Sequence, residues 1–346
     1  MRSKDKIAKI GGDSVFVIAE ISANHGQNFD RAIELIRKAK HCGADAVKFQ
    51  TYTPDTITIN ETNEYFQIEH PEWGGQTLYE LYEKAYTPWE WFGELKRAAQ
   101  DVGILFFSAA FDPTAVDLLE GLDVPMHKIA SPELVDIPLI EYMAKTKKPL
   151  MLSTGMATIA EIDEAVRAAE KCGVDDIFLL RCVSAYPADP KEMNLQTIPH
   201  MRDLFGYPVG ISDHTIGIGV SIAAVSLGAK IVEKHFTLSR EIKTPDGFFS
   251  LEPEEFRTLV ENVRIVEKAL GRIHYGLTRE ERKSHVSRRS LFVVKDVKRG
   301  EYFTLENVRS IRPSQGLSPK YLPQVLGRKA SRDIDGGTPL SLDLIG

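Results

Sequence analysis

A chain of 346 residues with a formal charge of −6 and a pI near 5.9 lacks the concentrated basic surface that nucleic-acid phosphates demand, so no nucleic-acid partner is expected. Its 43% hydrophobic and 27% charged residues allow a large core and exclude wholesale disorder. There is no run of ~20 uninterrupted apolar residues, and the start, MRSKDKIAKIGGDSVFVIAE, has neither an apolar core nor a small-residue cleavage site; no membrane partner is expected and the cytoplasm is the default location.

From residue 15 onward, short β-rich apolar runs alternate with segments of helical period, the pattern of parallel strands joined by covering helices. The strand candidates are VFVIAEIS (15–22), AVKFQTY (46–52), ILFFSAA (104–110), MHKIAS (126–131), PLMLSTG (149–155), DIFLLRCVS (176–184), PVGISDH (208–214) and IVEKHFTL (231–238). Asn28, Thr87 and Thr158 stand where helices begin, and Gly43, Gly103, Gly173 and Gly228 where helices must turn back. Eight such units predict an α/β fold closed as a (β/α)8 TIM barrel over residues 1–272. The aromatic-rich insertion 53–86 reads either as a lid or as a packed surface excursion. A charged stretch, 273–286, reads as a linker. Residues 287–346 carry short strand-like pieces and turn glycines, a small β-rich module near the lower size limit for independent stability. Cys42, Cys172 and Cys182 form no CxxC pair and are expected to be reduced, buried packing residues.

Catalytic side chains of a TIM barrel stand at the C-terminal ends of its strands. Nearly every strand candidate ends in polar residues: Glu20 with Asn24 and His25; Lys48 and Gln50; Ser108; Lys128, Ser131 and Glu133; Ser153 and Thr154; Ser184 and Tyr186; Ser212, Asp213 and His214; Glu233, Lys234 and His235. His214 and His235 close successive strands, so they should stand side by side as metal ligands, with Glu133 and Asp213 nearby. Two nitrogens completed by oxygen suit an octahedral ion such as Mn2+ better than a closed zinc site. Lys48 and Lys128 lie within apolar strands, where each needs an anionic partner. That partner is a phosphate or carboxylate ligand, or an internal carboxylate such as Glu20; alternatively, one lysine forms a Schiff base.

The motifs IAEISANH, ADAVKFQTY, HKIASPE, STG, YP, GISDH and EKHFTL, in this order, resemble the N-acetylneuraminate synthase family, and the tail RSLFVVKDVKRGEYFT followed by SIRP resembles a SAF, or antifreeze-like, domain. Within that family, TYTPDTITI, NEYFQIE, LYELYEKAYTPWEW and IRPSQGLSPKYL look most like the pseudaminic acid synthases. The resemblance implies condensation of phosphoenolpyruvate with a 2,4-diacetamido-2,4,6-trideoxy hexose of altro configuration. Legionaminic and N-acetylneuraminic acid synthesis are alternatives, and a Schiff-base aldolase or a binding protein is a more distant one. It further implies that His214 and His235 bind the metal, Mn2+ with Mg2+ or Co2+ as alternatives. Lys48, Lys128, Ser131 and Ser212 would hold phosphoenolpyruvate, with Ser108, Thr154, Ser184 and Tyr186 as further substrate contacts, while Gln50, Asp246 and Arg312 would face the sugar. Ser184 stands where sialate synthases usually have asparagine. Glu133 would orient or deprotonate the attacking water, with Glu20 as the second candidate. By the same resemblance the chain forms a domain-swapped homodimer in which Arg312 reaches over the other subunit's barrel.

Overall fold

The computed structural model describes residues 10, 12 and 14–346, and the chain divides after Gly271 into two compact units. In the first unit, β1 (Phe16–Glu20), β2 (Ala46–Thr51), β3 (Leu105–Ala110), β4 (His127–Ile129), β5 (Leu150–Ser153), β6 (Ile177–Cys182), β7 (Val209–Asp213) and β8 (Ile231–His235) form a closed parallel barrel in sequence order. The expected TIM barrel is therefore present. Closure is made by β1 against β8, in a register running from Phe16 opposite Ile231 to Glu20 opposite His235.

Side chains alternate across each strand, which separates two cores. Phe16, Ile18, Ala46, Phe107, Met126, Met151, Phe178, Leu180 and Ile231 pack together inside the lower barrel. Val17, Ala19, Val47, Phe49, Leu152, Leu179, Ile211 and Val232 pack outward against the helices. At Gly210 a Cβ would come within 2.5 Å of the Ile231 Cβ and backbone oxygen, so only glycine lets β7 and β8 approach there.

The covering helices form where the sequence provides both an apolar stripe and a cap. Helix Phe29–His41 buries Ala32, Leu35, Ile36 and Ala39, and the Asn28 side chain accepts from Arg31 N–H at its start. Helix Ile159–Lys171 starts with a Thr158–Glu161 capping box. Thr87 does not act as a cap. The chain enters the next helix through a one-turn 3₁₀ segment, Trp89–Trp91, and the Thr87 hydroxyl instead lies 3.0 Å from His25 Nε2. The insertion 53–86 holds two short helices, Pro54–Ile57 and Leu78–Ala85.

In the second unit, β9 (Ser290–Val293) pairs antiparallel with β10 (Val308–Ile311) over a small core including Leu291, Val293, Phe303, Val308, Ile334 and Leu340. The segment read as a linker contains a short helix, Arg279–Ser284, started by a Thr278–Glu281 capping box. Of the cysteines, Cys42 and Cys182 are buried, whereas Cys172 is only half-buried.

Candidate active site

Inside the barrel the side-chain columns change character from bottom to top: Phe16 and Ile18 lead to Glu20, Ala46 to Lys48 and Gln50, Met126 to Lys128, and Ile231 to Glu233 and His235. Four buried charges meet at this upper end. Lys48 Nζ lies 2.8 Å from Glu20 Oε2 and 3.6 Å from Glu233 Oε1. Lys128 Nζ is 3.9 Å from the same Glu233 oxygen and donates to Ser153 Oγ at 2.6 Å and to the Ile129 carbonyl at 3.1 Å. Ser212 Oγ donates to Glu233 Oε1 at 3.2 Å, and Gln50 Nε2 to Glu20 Oε1 at 3.0 Å.

The two lysines differ in consequence. Burial pushes the Lys48 ammonium down, but Glu20 and Glu233 outweigh it and leave its pKa above the ordinary value. Burial dominates at Lys128, where Glu233 offsets it only in part and the pKa falls. Lys48 is ion-paired, while Lys128, farther from its nearest carboxylate, is the ammonium better placed to take an incoming anion.

Two hydroxyls adjoin that ammonium's side of the barrel. Ser131 Oγ accepts the Gly155 N–H at 3.0 Å. A Cβ at Gly155 would stand 2.7 Å from Ser131 Oγ and collide with Ser184 Oγ, so the hydroxyls converge because residue 155 has no side chain.

His214 follows β7 and His235 ends β8, with ring centroids 5.3 Å apart and planes at 68°. The His214 Nδ1 lies 2.9 Å from the Val183 carbonyl, which fixes a proton on Nδ1; burial pushes the ring's pKa down, but Cys182 and that carbonyl outweigh it and leave it above the ordinary value, so Nε2 offers a lone pair only in the neutral ring. His235 Nδ1 is buried without a hydrogen-bond partner, 3.8 Å from Asp246 Oδ2. Burial, then His214 and Lys48, hold His235 neutral by pushing its pKa well below the usual range. Asp246 is itself set by Ser22 Oγ at 2.5 Å and Ala23 N–H at 3.4 Å. Tyr186 and Phe249 wall the imidazoles, 4.4 Å from His214 and 4.7 Å from His235 respectively.

Glu133 stands in the 3₁₀ turn Pro132–Val135 directly after Ser131, and its Oε2 is buried with no partner. Burial raises its pKa to about 7 against the lowering effect of its own backbone N–H and of Lys128. Burial likewise raises Glu20 despite Lys48.

Other strand-end residues serve the scaffold. Asp213, expected near the imidazoles, is on the opposite side of β7. Its carboxylate accepts from Thr215 N–H at 2.9 Å, Thr215 Oγ1 at 2.7 Å and Ser221 Oγ at 2.6 Å, and pairs with Lys234 Nζ at 3.0 Å. The reason is parity, since Ser212 and His214 share one side and Asp213 the other. The Ser108 hydroxyl is engaged with Thr51 at 2.7 Å, and the Thr154 hydroxyl with the Leu180 carbonyl at 3.0 Å. His25 is buried against Phe49 and Trp91, and burial lowers its pKa to about 4. Arg312 is exposed in the second unit, immediately after β10. A separate cavity of about 680 Å³ lies at the other end of the strands, between Leu105, Val124 and Pro149, on the face where barrel residues serve stability.

Three features escaped the sequence reading. Glu233, noted only as a polar strand end, shares the Glu20 and Lys48 cluster; Gly155 frames the hydroxyl cradle; and Cys182, buried as expected, also adjoins an imidazole. Its Sγ lies 3.8 Å from His214 Nδ1; burial pushes the thiol up, but His214, Ser131 and Lys128 together outweigh this and bring it to about 7.

Comparison with known proteins accounts for this arrangement. The NeuB family model matches residues 35–275, and the SAF domain model residues 288–345. Pseudaminic acid synthase from Helicobacter pylori is 43% identical over 330 residues, covering 94% of this chain and 96% of the relative. N,N'-diacetyllegionaminic acid synthase from Legionella pneumophila is 35% identical, covering 94% of this chain and 93% of its own. The crystal structure of N-acetylneuraminic acid synthetase from Leptospira borgpetersenii in complex with citrate superposes with a TM-score of 0.71 at 32% identity, over 78% of this chain and 90% of that one. The chain belongs to the NeuB family and carries a C-terminal SAF domain.

Proposed function

We propose that this chain condenses phosphoenolpyruvate with 2,4-diacetamido-2,4,6-trideoxy-altrose to give pseudaminic acid and phosphate, with a divalent metal, Mn2+ for preference, at His214 and His235. The observation that carries the reading is the Lys128 ammonium with its Ser153 hydroxyl, the Ser131 and Ser184 hydroxyls that converge at Gly155, and a pair of imidazoles, all at one end of the barrel strands. It is supported by the 43% identity to the H. pylori pseudaminic acid synthase, higher than the 35% to the legionaminic acid synthase.

The residues fit an ion. With Nδ1 turned to the Val183 carbonyl, the neutral His214 ring presents Nε2, and His235 Nδ1 is buried and unpartnered. Among the described residues no three His, Cys, Asp or Glu converge as a cage, so water or substrate oxygen would complete the shell. Such an ion, when bound, polarises the sugar aldehyde. Lys128 and Lys48 counter the phosphate charge, with Ser131, Ser184 and Ser212 supplying hydroxyls. C3 of phosphoenolpyruvate bonds to the aldehyde carbon, whose oxygen takes up a proton from solvent; water adds at C2 and gives up a proton to Glu133; the bond from C2 to the phosphate oxygen then breaks as the new C2 hydroxyl passes its proton to the departing phosphate and becomes the ketone. Gln50, Asp246 and Arg312 take the sugar, Arg312 from the SAF domain of the other subunit in a cytoplasmic homodimer.

The test follows phosphate release by metal-stripped and Mn2+-loaded enzyme with three sugars: the altro compound, its manno isomer and N-acetylmannosamine. Turnover is expected with the first, only when metal is present. A preference for either other sugar, or indifference to chelator together with borohydride trapping of Lys48 or Lys128, refutes the reading. In the same assay Arg312→Ala should raise the KM for sugar and leave that for phosphoenolpyruvate nearly unchanged; a rise in the latter refutes the role given to Arg312.

A further inference from the structure

The insertion between β2 and β3 does not hang free of the barrel. Trp73 Nε1–H donates to the Pro245 carbonyl at 2.7 Å, and His70 Nε2 lies 3.0 Å from the Tyr186 carbonyl, so two of its residues are tied to the loops after β8 and β6. The His70 ring stacks on Trp73 at 4.5 Å. Trp73 in turn lies 5.5 Å from Tyr186 and 6.0 Å from Phe248, and Phe248 is 5.0 Å from Phe249. Tyr186 and Phe249 are the rings that touch His214 and His235. A continuous aromatic surface thus runs from the imidazole pair out to the insertion.

Its backing is rigid. Asn24 Nδ2 donates to the Phe236 carbonyl at 3.0 Å and to Ser250 Oγ at 2.8 Å, while Thr244 Oγ1 donates to Asn24 Oδ1 at 2.8 Å and Ser250 Oγ to the Asp246 carbonyl at 2.6 Å. These bonds pin residues 244–250, the segment on which Trp73 rests. Trp73, Tyr186 and Phe248 are only half-buried, so each keeps ring surface to offer a ligand.

We infer that Trp73 and Phe248 are specificity-determining residues whose rings take the acetamido methyl and deoxy carbons of the sugar and select against sugars bearing hydroxyls there. The inference rests on the proposed reaction. An aromatic face gains by covering C–H and methyl surface and cannot satisfy a buried hydroxyl, which would lose its hydrogen bonds to water. A sugar with a second acetamido group and a 6-deoxy carbon matches that wall; N-acetylmannosamine, with hydroxyls at both positions, does not. Discrimination by one methyl-sized contact is worth roughly 10- to 200-fold.

The experiment compares the full-length, metal-loaded protein with Trp73→Ala, Trp73→Phe and Phe248→Ala. It measures kcat/KM for 2,4-diacetamido-2,4,6-trideoxy-altrose, the Ki of N-acetylmannosamine against it, and the KM for phosphoenolpyruvate. The alanine variants should lose roughly tenfold or more in kcat/KM for the trideoxy sugar, the Ki of N-acetylmannosamine should stay level or fall, the phosphoenolpyruvate KM should change little, and Trp73→Phe should recover most of the loss. An equal weakening of both sugars, or a rise in the phosphoenolpyruvate KM alongside, makes the wall a scaffold and overturns the inference. Wild-type protein that turns over the trideoxy sugar not at all overturns the proposed function itself, and the inference with it.

Discussion

Glu133→Gln should abolish most of the condensation activity and, above pH 7, make the folded protein more stable. Both effects arise from one buried oxygen. Glu133 Oε2 has no partner, and burial raises the carboxyl from 4.5 to about 7. The folded state therefore holds this proton more tightly than the unfolded chain does, so the contribution to stability is complete below pH 4.5 and is lost as pH rises through 7. At ~1.36 kcal/mol per unit the loss is about 3 kcal/mol, a cost the neutral amide of glutamine does not incur. Chemical denaturation at pH 5 and pH 8 should show the variant gaining on the wild type between the two, since the other shifted groups, Glu20, His25 and His235 among them, are common to both. In kinetics the sign reverses. A base must be ionised, so wild-type kcat/KM should climb as pH passes 7, and the variant should lose roughly 10²- to 10⁴-fold in kcat. Undiminished turnover by Glu133→Gln would remove this carboxylate from the chemistry.

The second large effect is expected at a position without a side chain. Gly155→Ala would place a methyl group 2.7 Å from Ser131 Oγ and against Ser184 Oγ, where the Ser131 hydroxyl cannot retreat without losing the bond from the Gly155 N–H. Displacing such groups by about 1 Å costs on the order of 10²-fold in rate, and overpacking costs ~1–3 kcal/mol of stability. The loss should fall on the KM for phosphoenolpyruvate and spare that for sugar. Equal losses for both substrates would show that the cradle does not hold the phosphate.

The barrel was readable because each strand run combines β-branched or aromatic residues with a polar end, a signal local to ten or so residues. Thr87 misled because a threonine before proline looks like a cap wherever it falls, and the hydrogen bond to His25 that redirects it comes from 62 positions away. Asp213 and Glu233 could have been sorted by counting alternate residues along EKH and SDH, which puts Glu233 with His235 and Asp213 against Lys234. No such rule finds Gly155 or Trp73. Their importance lies in contacts between segments far apart in the chain, Gly155 with Ser131 and Ser184, and Trp73 with Pro245 and Phe248.

The seam of the barrel has a consequence for how the protein comes into being. Glu20 sits opposite His235, so β1 and β8, far apart in the chain, share the same end of the barrel. Until β8 has been made and paired with β1, the chain holds Glu20, Lys48, Lys128 and His214 without Glu233 and without the second imidazole. On the proposed reaction, a product that lacks β8 would be inactive however well its remaining strands had paired.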